Sequence, residues 1–161
     1  MNTNAVSDDV LNRIPITRWV NGTVEKILGT GTHDAVTWNK CWYETYTQLG
    51  GTSKTSGTKP CPRAAARGLW ILGRLRRGGR PLQTRSVVEV YRELSKNAAY
   101  AVIAADLLAG DASRSSSALW RSVQSEFTRL TGDIPAESEQ GEVRLVIALF
   151  RQQELLASLT K

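Results

Sequence analysis

Cationic side chains able to bind phosphate are concentrated in one segment of the chain. Residues 51–85 contain nine arginines and lysines and no aspartate or glutamate, whereas residues 1–50 and 86–161 together contain twelve basic and fifteen acidic side chains. The basic segment, residues 51–85, is centred on KPCPRAAARGLWILGRLRRGGRP, Lys59 to Pro81. The excess positive charge of a chain with a net charge of +6 therefore lies in this segment.

The spacing of three of these arginines is typical of one helix face. Arg63, Arg67 and Arg74 follow one another at steps of four and seven, which predicts a single cationic stripe. Like charges at this spacing repel by about a few tenths of a kcal/mol per pair. A phosphate backbone, an acidic protein, or the carboxylates of residues 86–161 folded against this face would each relieve the repulsion. The sequence leaves these three alternatives open.

The concentration of charge predicts a non-enzymatic binding module that contacts nucleic acid mainly through phosphates. The alternative is a protein-interaction or inhibitor module of a mobile genetic element, which would bind an acidic protein partner. No zinc finger, recognition helix or RNP-like motif accompanies the charge, so no base specificity is predicted. The predicted contact residues, for either partner, are Lys59, Arg63, Arg67, Arg74, Arg76, Arg77, Arg80 and Arg85.

Residue types that carry out catalysis or bind metals occur without the spacing that either function requires. His33 is the only histidine, and no Gly-x-Ser-x-Gly nucleophile elbow accompanies it. GTGTH, residues 29–33, lacks the lysine of a phosphate-binding loop, so we interpret it as a turn. Cys41 and Cys61 have no Cys-x-x-Cys spacing, and we predict reduced thiols. We predict no enzyme activity, no metal and no cofactor.

The elements that position the basic segment show helical periodicity. We predict an all-α fold of five to seven packed helices. RLVIALF, residues 144–150, is also compatible with a buried strand, but the following RQQELLASL favours helix. The helical segments predicted along the chain, short pieces included, are two separated at Pro15, one capped by Thr32 and ending at Gly50, one from Pro62 to Gly78-Gly79, Val87 to Leu94, Ser95 to Leu108, Ser116 or Ser117 to Gly132, and one from about Ser138.

Apolar stripes indicate which of these helices form the core. The helix from Ser95 to Leu108 is apolar on more than one face, which predicts that it is central. Trp38, Trp42 and Trp120 lie on apolar stripes and are predicted core residues, whereas the periodicity does not place Trp19 and Trp70. Three glutamates near the start of the last predicted helix are interpreted as helix-capping groups: Glu137, Glu139 and Glu142.

The length of 161 residues predicts one compact domain, residues 1–161. Within it, residues 1–14 are expected to be frayed and residues 50–59 to form a flexible polar loop. No apolar stretch approaches the roughly 20 residues that span a bilayer, and no signal-peptide pattern begins the chain. We therefore expect a cytoplasmic protein with no membrane partner. The oligomeric state is not predicted.

Several short landmarks follow one another along the chain. They are the Trp-bearing helix from Trp38, KPCPR at residues 59–63, Gly68-Leu69, Gly73, NAAYA at residues 97–101, Leu119-Trp120, and Gln140 before VIALF at residues 146–150. Their order resembles an uncharacterised family of small bacterial helical proteins, a domain of unknown function. The resemblance implies a helical fold and a bacterial source, and it implies no catalytic residue.

Overall fold

The computed structural model describes residues 14–76, 86–113 and 115–155. In these residues the fold is all-α, as predicted, with seven helices, a further one-turn helix at Lys54–Gly57, and no strand beyond an isolated antiparallel bridge between Leu75 and Leu155. The seven helices are α1 (Ile16–Thr30), α2 (Ala35–Gln48), α3 (Pro60–Ile71), α4 (Val87–Glu93), α5 (Lys96–Gly110), α6 (Ser116–Thr131) and α7 (Glu142–Arg151).

The chain divides into two compact units, residues 1–59 and residues 60–161. The first contains α1, α2 and the one-turn helix, and the second contains α3 to α7. The expectation of one domain over residues 1–161 stays a prediction, as does fraying of residues 1–14, of which residues 1–13 lie outside the described residues.

The first unit is built around indole rings at the contact between α1 and α2. The Trp19 Nε1–H donates a 2.9 Å hydrogen bond to the backbone oxygen of Trp42, and the two rings stack with centroids 4.4 Å apart. Trp38 also stacks with Trp42, with ring centroids 6.3 Å apart. Trp19 is therefore a core residue, which the periodicity did not indicate.

Residues 50–59, predicted as a polar loop, contain local structure. The Ser53 side chain accepts a hydrogen bond from the Ser56 N–H and caps the one-turn helix. The Ser53 N–H donates to the Tyr46 hydroxyl over 3.0 Å. A Cβ atom built on Gly57 would lie 2.6 Å from the Tyr46 ring, so this turn packs closely against α2. The flexibility of this segment stays a prediction.

The second unit is organised around α5. This helix packs against α3, α4, α6 and α7, and nine of its fifteen residues are buried. The expectation that the helix from Ser95 to Leu108 is central is therefore confirmed, with Ser95 acting as its N-cap rather than its first residue.

Helix boundaries differ from the sequence prediction where a glycine with positive φ intervenes. α3 ends at Ile71, not at Gly78-Gly79, because Gly73 takes φ +69° and ends the helix. α7 begins at Glu142 rather than near Ser138, because Gly141 at φ +113° is its N-cap. The run of residues 144–150 is helical and not a strand.

The start of α2 also differs from the prediction. α2 is capped by Asp34 instead of Thr32, and its carboxylate accepts the Thr37 N–H at 2.7 Å. α1 begins directly after Pro15, which is its N-cap residue, in agreement with the predicted break at Pro15. The short helix predicted before Pro15 falls mainly on residues that lie outside the described ones.

Candidate nucleic-acid interface

Helix α3 contains the first two predicted contact residues of the second unit. It lies close against α5, because a Cβ atom at Gly68 would be 2.6 Å from the Ala98 Cβ and 2.9 Å from the Ala98 Cα. Arg63 and Arg67 are half-buried on this helix, and each is engaged in interactions within the chain. They are therefore not freely solvated cations.

The end of α3 separates Arg74 from the predicted stripe. The Arg74 N–H donates to the Leu69 oxygen at 2.8 Å and the Gly73 N–H donates to the Trp70 oxygen at 3.0 Å, which is the Schellman pattern. Arg74 therefore lies beyond the left-handed Gly73 and outside the helix. The prediction that Arg63, Arg67 and Arg74 form one helical stripe is wrong for Arg74.

The Arg74 guanidinium forms a bidentate ion pair with Asp106 of α5. Its Nε–H donates to Oδ1 at 2.7 Å, its Nη2 donates to Oδ2 at 3.1 Å, and its Nη1 donates to the Leu72 backbone oxygen at 3.0 Å. The Arg74 side chain is only 11% exposed. The sequence left three partners open for the cationic residues: a phosphate backbone, an acidic protein, or the carboxylates of residues 86–161. The partner of Arg74 is Asp106, which is one of those carboxylates.

Arg76 is held by hydrogen bonds to residues that follow α7. Its backbone N–H donates to the Glu154 oxygen at 2.8 Å, and its Nε–H donates to the Gln153 oxygen at 2.7 Å. The adjacent bridge joins Leu75, which is 1% exposed, to Leu155. The Arg76 residue as a whole is exposed.

The remaining predicted contact residues fall into two groups. Lys59 is exposed at the end of the first unit. Arg77, Arg80 and Arg85 lie outside the described residues.

The described part of the second unit is electrically balanced. Between residues 60 and 155 it contains ten arginines and lysines and ten carboxylates. The net positive charge of residues 60–161 thus comes from five side chains outside that part: Arg77, Arg80, Arg85, Arg114 and Lys161. Three of these five belong to the basic segment.

Sequence reasoning missed Asp106 as the partner of Arg74. A signal was available, because Asp106 is the one charged residue in the otherwise apolar run AAYAVIAADLLAG, residues 98–110. A lone carboxylate in a central helix requires a cationic partner. The backbone oxygens that bind Arg76 had no comparable signal, because any residue provides such an acceptor.

The described residues also contain two cysteines and an open groove. No three of their His, Cys, Asp and Glu side chains are grouped to hold a metal ion. Cys41 is buried, which raises the pKa of its thiol, and neither Cys41 nor the half-buried Cys61 is in a disulfide. An open groove of about 520 Å³ on α6 is lined by Arg121, Arg129 and neighbouring residues. No described helix is long and apolar enough to cross a membrane.

A family model matches most of the chain. Residues 23–156 match the model of a family of unknown function, DUF6979. The chain belongs to the DUF6979 family. The matched residues include all of α2 to α7, and with them Arg63, Arg67, Arg74 and the partner Asp106. No curated protein and no solved structure matches the chain significantly, so the DUF6979 assignment brings no activity with it.

Proposed function

We propose that this protein is a non-enzymatic helical module that binds nucleic acid through the phosphates, using its basic segment. Arg77, Arg80 and Arg85 supply the principal contacts, and the exposed Arg76 supplies a further one. Arg74 has a different role, because its guanidinium is held by Asp106. Lys59, Arg63 and Arg67 contribute to the positive potential of the segment.

The observation that carries the proposal is the charge balance of the folded second unit. The described part of residues 60–155 contains ten cations and ten carboxylates and has no excess charge. Three further arginines occur within the nine residues from 77 to 85, which precede α4 in the sequence. A polyanion attracted to a cationic segment releases counterions, which favours binding without any base contact. The fixed position of Arg76 immediately before these residues supports the same proposal.

A pair of matched variants tests the proposal. In the first, Arg77, Arg80 and Arg85 are replaced by alanine, and in the second, three exposed arginines on α4, α6 and α7 are replaced: Arg92, Arg121 and Arg151. Both variants lose three charges, so any difference between them reports position and not net charge. We expect the first to bind a labelled oligonucleotide on the order of tenfold or more weaker at about 50 mM salt, measured by fluorescence anisotropy, and the second to bind nearly as the parent protein does.

Thermal melting of both variants is the control for folding. We expect the second variant to melt close to the parent protein, because substitutions of exposed residues away from buried partners change stability by about 0.5 kcal/mol or less. The melting temperature of the first variant shows whether a loss of affinity follows from unfolding. Equal losses of affinity in the two variants would reject the basic segment as the site. Absence of binding by the parent protein at low salt would reject nucleic acid as the partner and favour the acidic-protein alternative.

The proposed setting is the bacterial cytoplasm, where nucleic acid is accessible and the thiols of Cys41 and Cys61 stay reduced. The landmark order from Trp38 to residues 146–150 is proposed as the signature that relatives share. Fractionation of expressing cells tests the location, and recovery with the membrane fraction would contradict it.

A further inference from the structure

Besides contacts to phosphates, proteins bind nucleic acid by stacking aromatic side chains on the bases, which requires exposed rings. The sequence has eleven aromatic side chains, five Trp, four Tyr and two Phe, and all eleven lie within the described residues. The position of every Trp, Tyr and Phe ring in this protein is therefore known.

In the first unit the rings stack on one another. Trp19, Trp38, Trp42 and Tyr46 are each 1% exposed or less. Trp19 contacts both Trp42 and Tyr46, with centroids 4.4 and 4.8 Å apart. Their faces are therefore not available to a base without unfolding the contact between α1 and α2.

In the second unit the rings meet edge to face in the core. Tyr100 contacts Trp120 at 5.2 Å and Phe127 at 5.0 Å, and Tyr91 contacts Phe127 at 5.0 Å. Trp120 is 8% exposed and the half-buried Tyr91 donates its hydroxyl hydrogen to Asp133. These rings hold α4, α5 and α6 together.

The last three rings do not form a track along which successive bases could stack. Trp70 is 1% exposed and Phe150 is half-buried on α7. Tyr43 is the most exposed of the Trp, Tyr and Phe side chains, at 37%. Its ring lies against Gly57, since a Cβ atom there would be 2.7 Å from the Tyr43 Cδ1.

We infer that the nucleic acid this protein prefers is a duplex, held by its phosphates, and that single strands are the weaker ligand. The inference rests on the proposed function and adds the class of ligand to it. Proteins that bind single strands gain affinity from each base that stacks on an aromatic ring. In this protein most of the Trp, Tyr and Phe rings are packed within the two units and are not available for stacking. The phosphate contribution favours the duplex, which carries one charge per about 1.7 Å of its axis.

The expected preference follows from counterion release. Each phosphate contact contributes about −0.9 to the slope of log affinity against log salt on a duplex and about −0.7 on a single strand. For four contacts, and equal binding at 1 M salt, the difference at 0.1 M is about 0.8 logarithmic units, or roughly sixfold in favour of the duplex.

Three labelled probes test this inference on the intact protein: a duplex, one of its strands alone, and the same strand with abasic sites replacing its bases. Anisotropy titrations at 0.1 M salt or below give the three dissociation constants. We expect the duplex to bind roughly sixfold tighter than the strand, and the abasic strand to bind as well as the intact strand.

The outcomes separate this inference from the function on which it rests. A single strand that binds as tightly as the duplex would overturn the duplex preference. A single strand that loses affinity when its bases are removed would overturn the absence of base stacking on which the inference is built. Either outcome would leave nucleic-acid binding intact. If none of the three probes binds at low salt, the proposed function fails and the inference fails with it.

Discussion

At the scale of the residue, Arg74 and Asp106 form the best-defined contact within the basic segment. Two parallel N–H···O bonds and a third bond to the Leu72 oxygen hold a guanidinium that is 11% exposed. Replacing Arg74 by alanine leaves the Asp106 carboxylate without its partner. We expect the free energy of unfolding to fall by about 1.5–3 kcal/mol, measured by chemical denaturation.

The exposed Arg92 provides the control for this prediction, and its replacement by alanine should have little effect on stability. Because Arg74 is engaged internally, the Arg74→Ala variant should keep nearly the nucleic-acid affinity of the parent protein. A variant with normal stability and weakened binding would show instead that Arg74 contacts the ligand.

Residues also show where sequence reasoning was sufficient and where it was not. Trp38, Trp42 and Trp120 were predicted core residues because apolar neighbours recur at helical spacing, and all three are buried. Trp19 and Trp70 are buried as well, although periodicity did not place them. The Trp19 indole N–H is satisfied by the Trp42 backbone oxygen, and such a long-range acceptor leaves no local pattern in the sequence.

At the scale of the element, the close approach of α3 and α5 depends on Gly68. An alanine there would place its Cβ within 2.9–3.0 Å of the Ala98 backbone, which cannot move as a flexible side chain does. We expect Gly68→Ala to lower the free energy of unfolding by about 1–3 kcal/mol, measured by chemical denaturation, despite the better helix propensity of alanine.

Gly29 of α1 is the matched control, since it is also helical and nothing lies within 4 Å of the position that an added Cβ would take. Gly29→Ala should therefore raise the free energy of unfolding by about 0.5–1 kcal/mol. Stabilisation by both substitutions would contradict the close packing of α3 on α5.

The start of α7 is stabilised by a carboxylate that precedes the helix. Glu139 Oε1 accepts the N–H groups of Gly141, Val143 and Arg144, the last two at 3.0 and 3.4 Å. We expect Glu139→Ala to cost about 1 kcal/mol of stability in thermal melting, because these amides lose their acceptor. Glu137→Ala is the control, as Glu137 is exposed, and equal effects of the two would argue against capping by Glu139.

The presence of the helices could be predicted from the sequence. The end of a helix could not be predicted where several glycines follow it. Gly73, Gly78 and Gly79 all follow α3 in sequence. The helix ends before Gly73, which has a φ of +69°. This helix end matters for the candidate site, because Arg74 then lies outside the helix and forms its ion pair with Asp106. Eight contact residues were predicted from charge, and the roles of Arg74 and Arg76 depend on partners distant in the chain.

At the scale of the whole molecule, the distribution of charge is the basis of the functional account. The chain carries +6, the described part of its second unit is balanced, and the basic segment contains Arg77, Arg80 and Arg85. Composition predicted that a cationic segment exists. The structure adds that Arg74 is engaged by an internal carboxylate, so the number of arginines available to a ligand is smaller than the sequence count.

The salt dependence of nucleic-acid binding tests the central claim most directly. Dissociation constants for a labelled duplex are measured by anisotropy at several salt concentrations. With Arg76, Arg77, Arg80 and Arg85 contacting phosphates, we predict a slope of log affinity against log salt of about −3 to −4, and a slope shallower by about 2 to 3 when Arg77, Arg80 and Arg85 are replaced by alanine. A parent protein that shows no salt-sensitive binding at low salt would contradict the account.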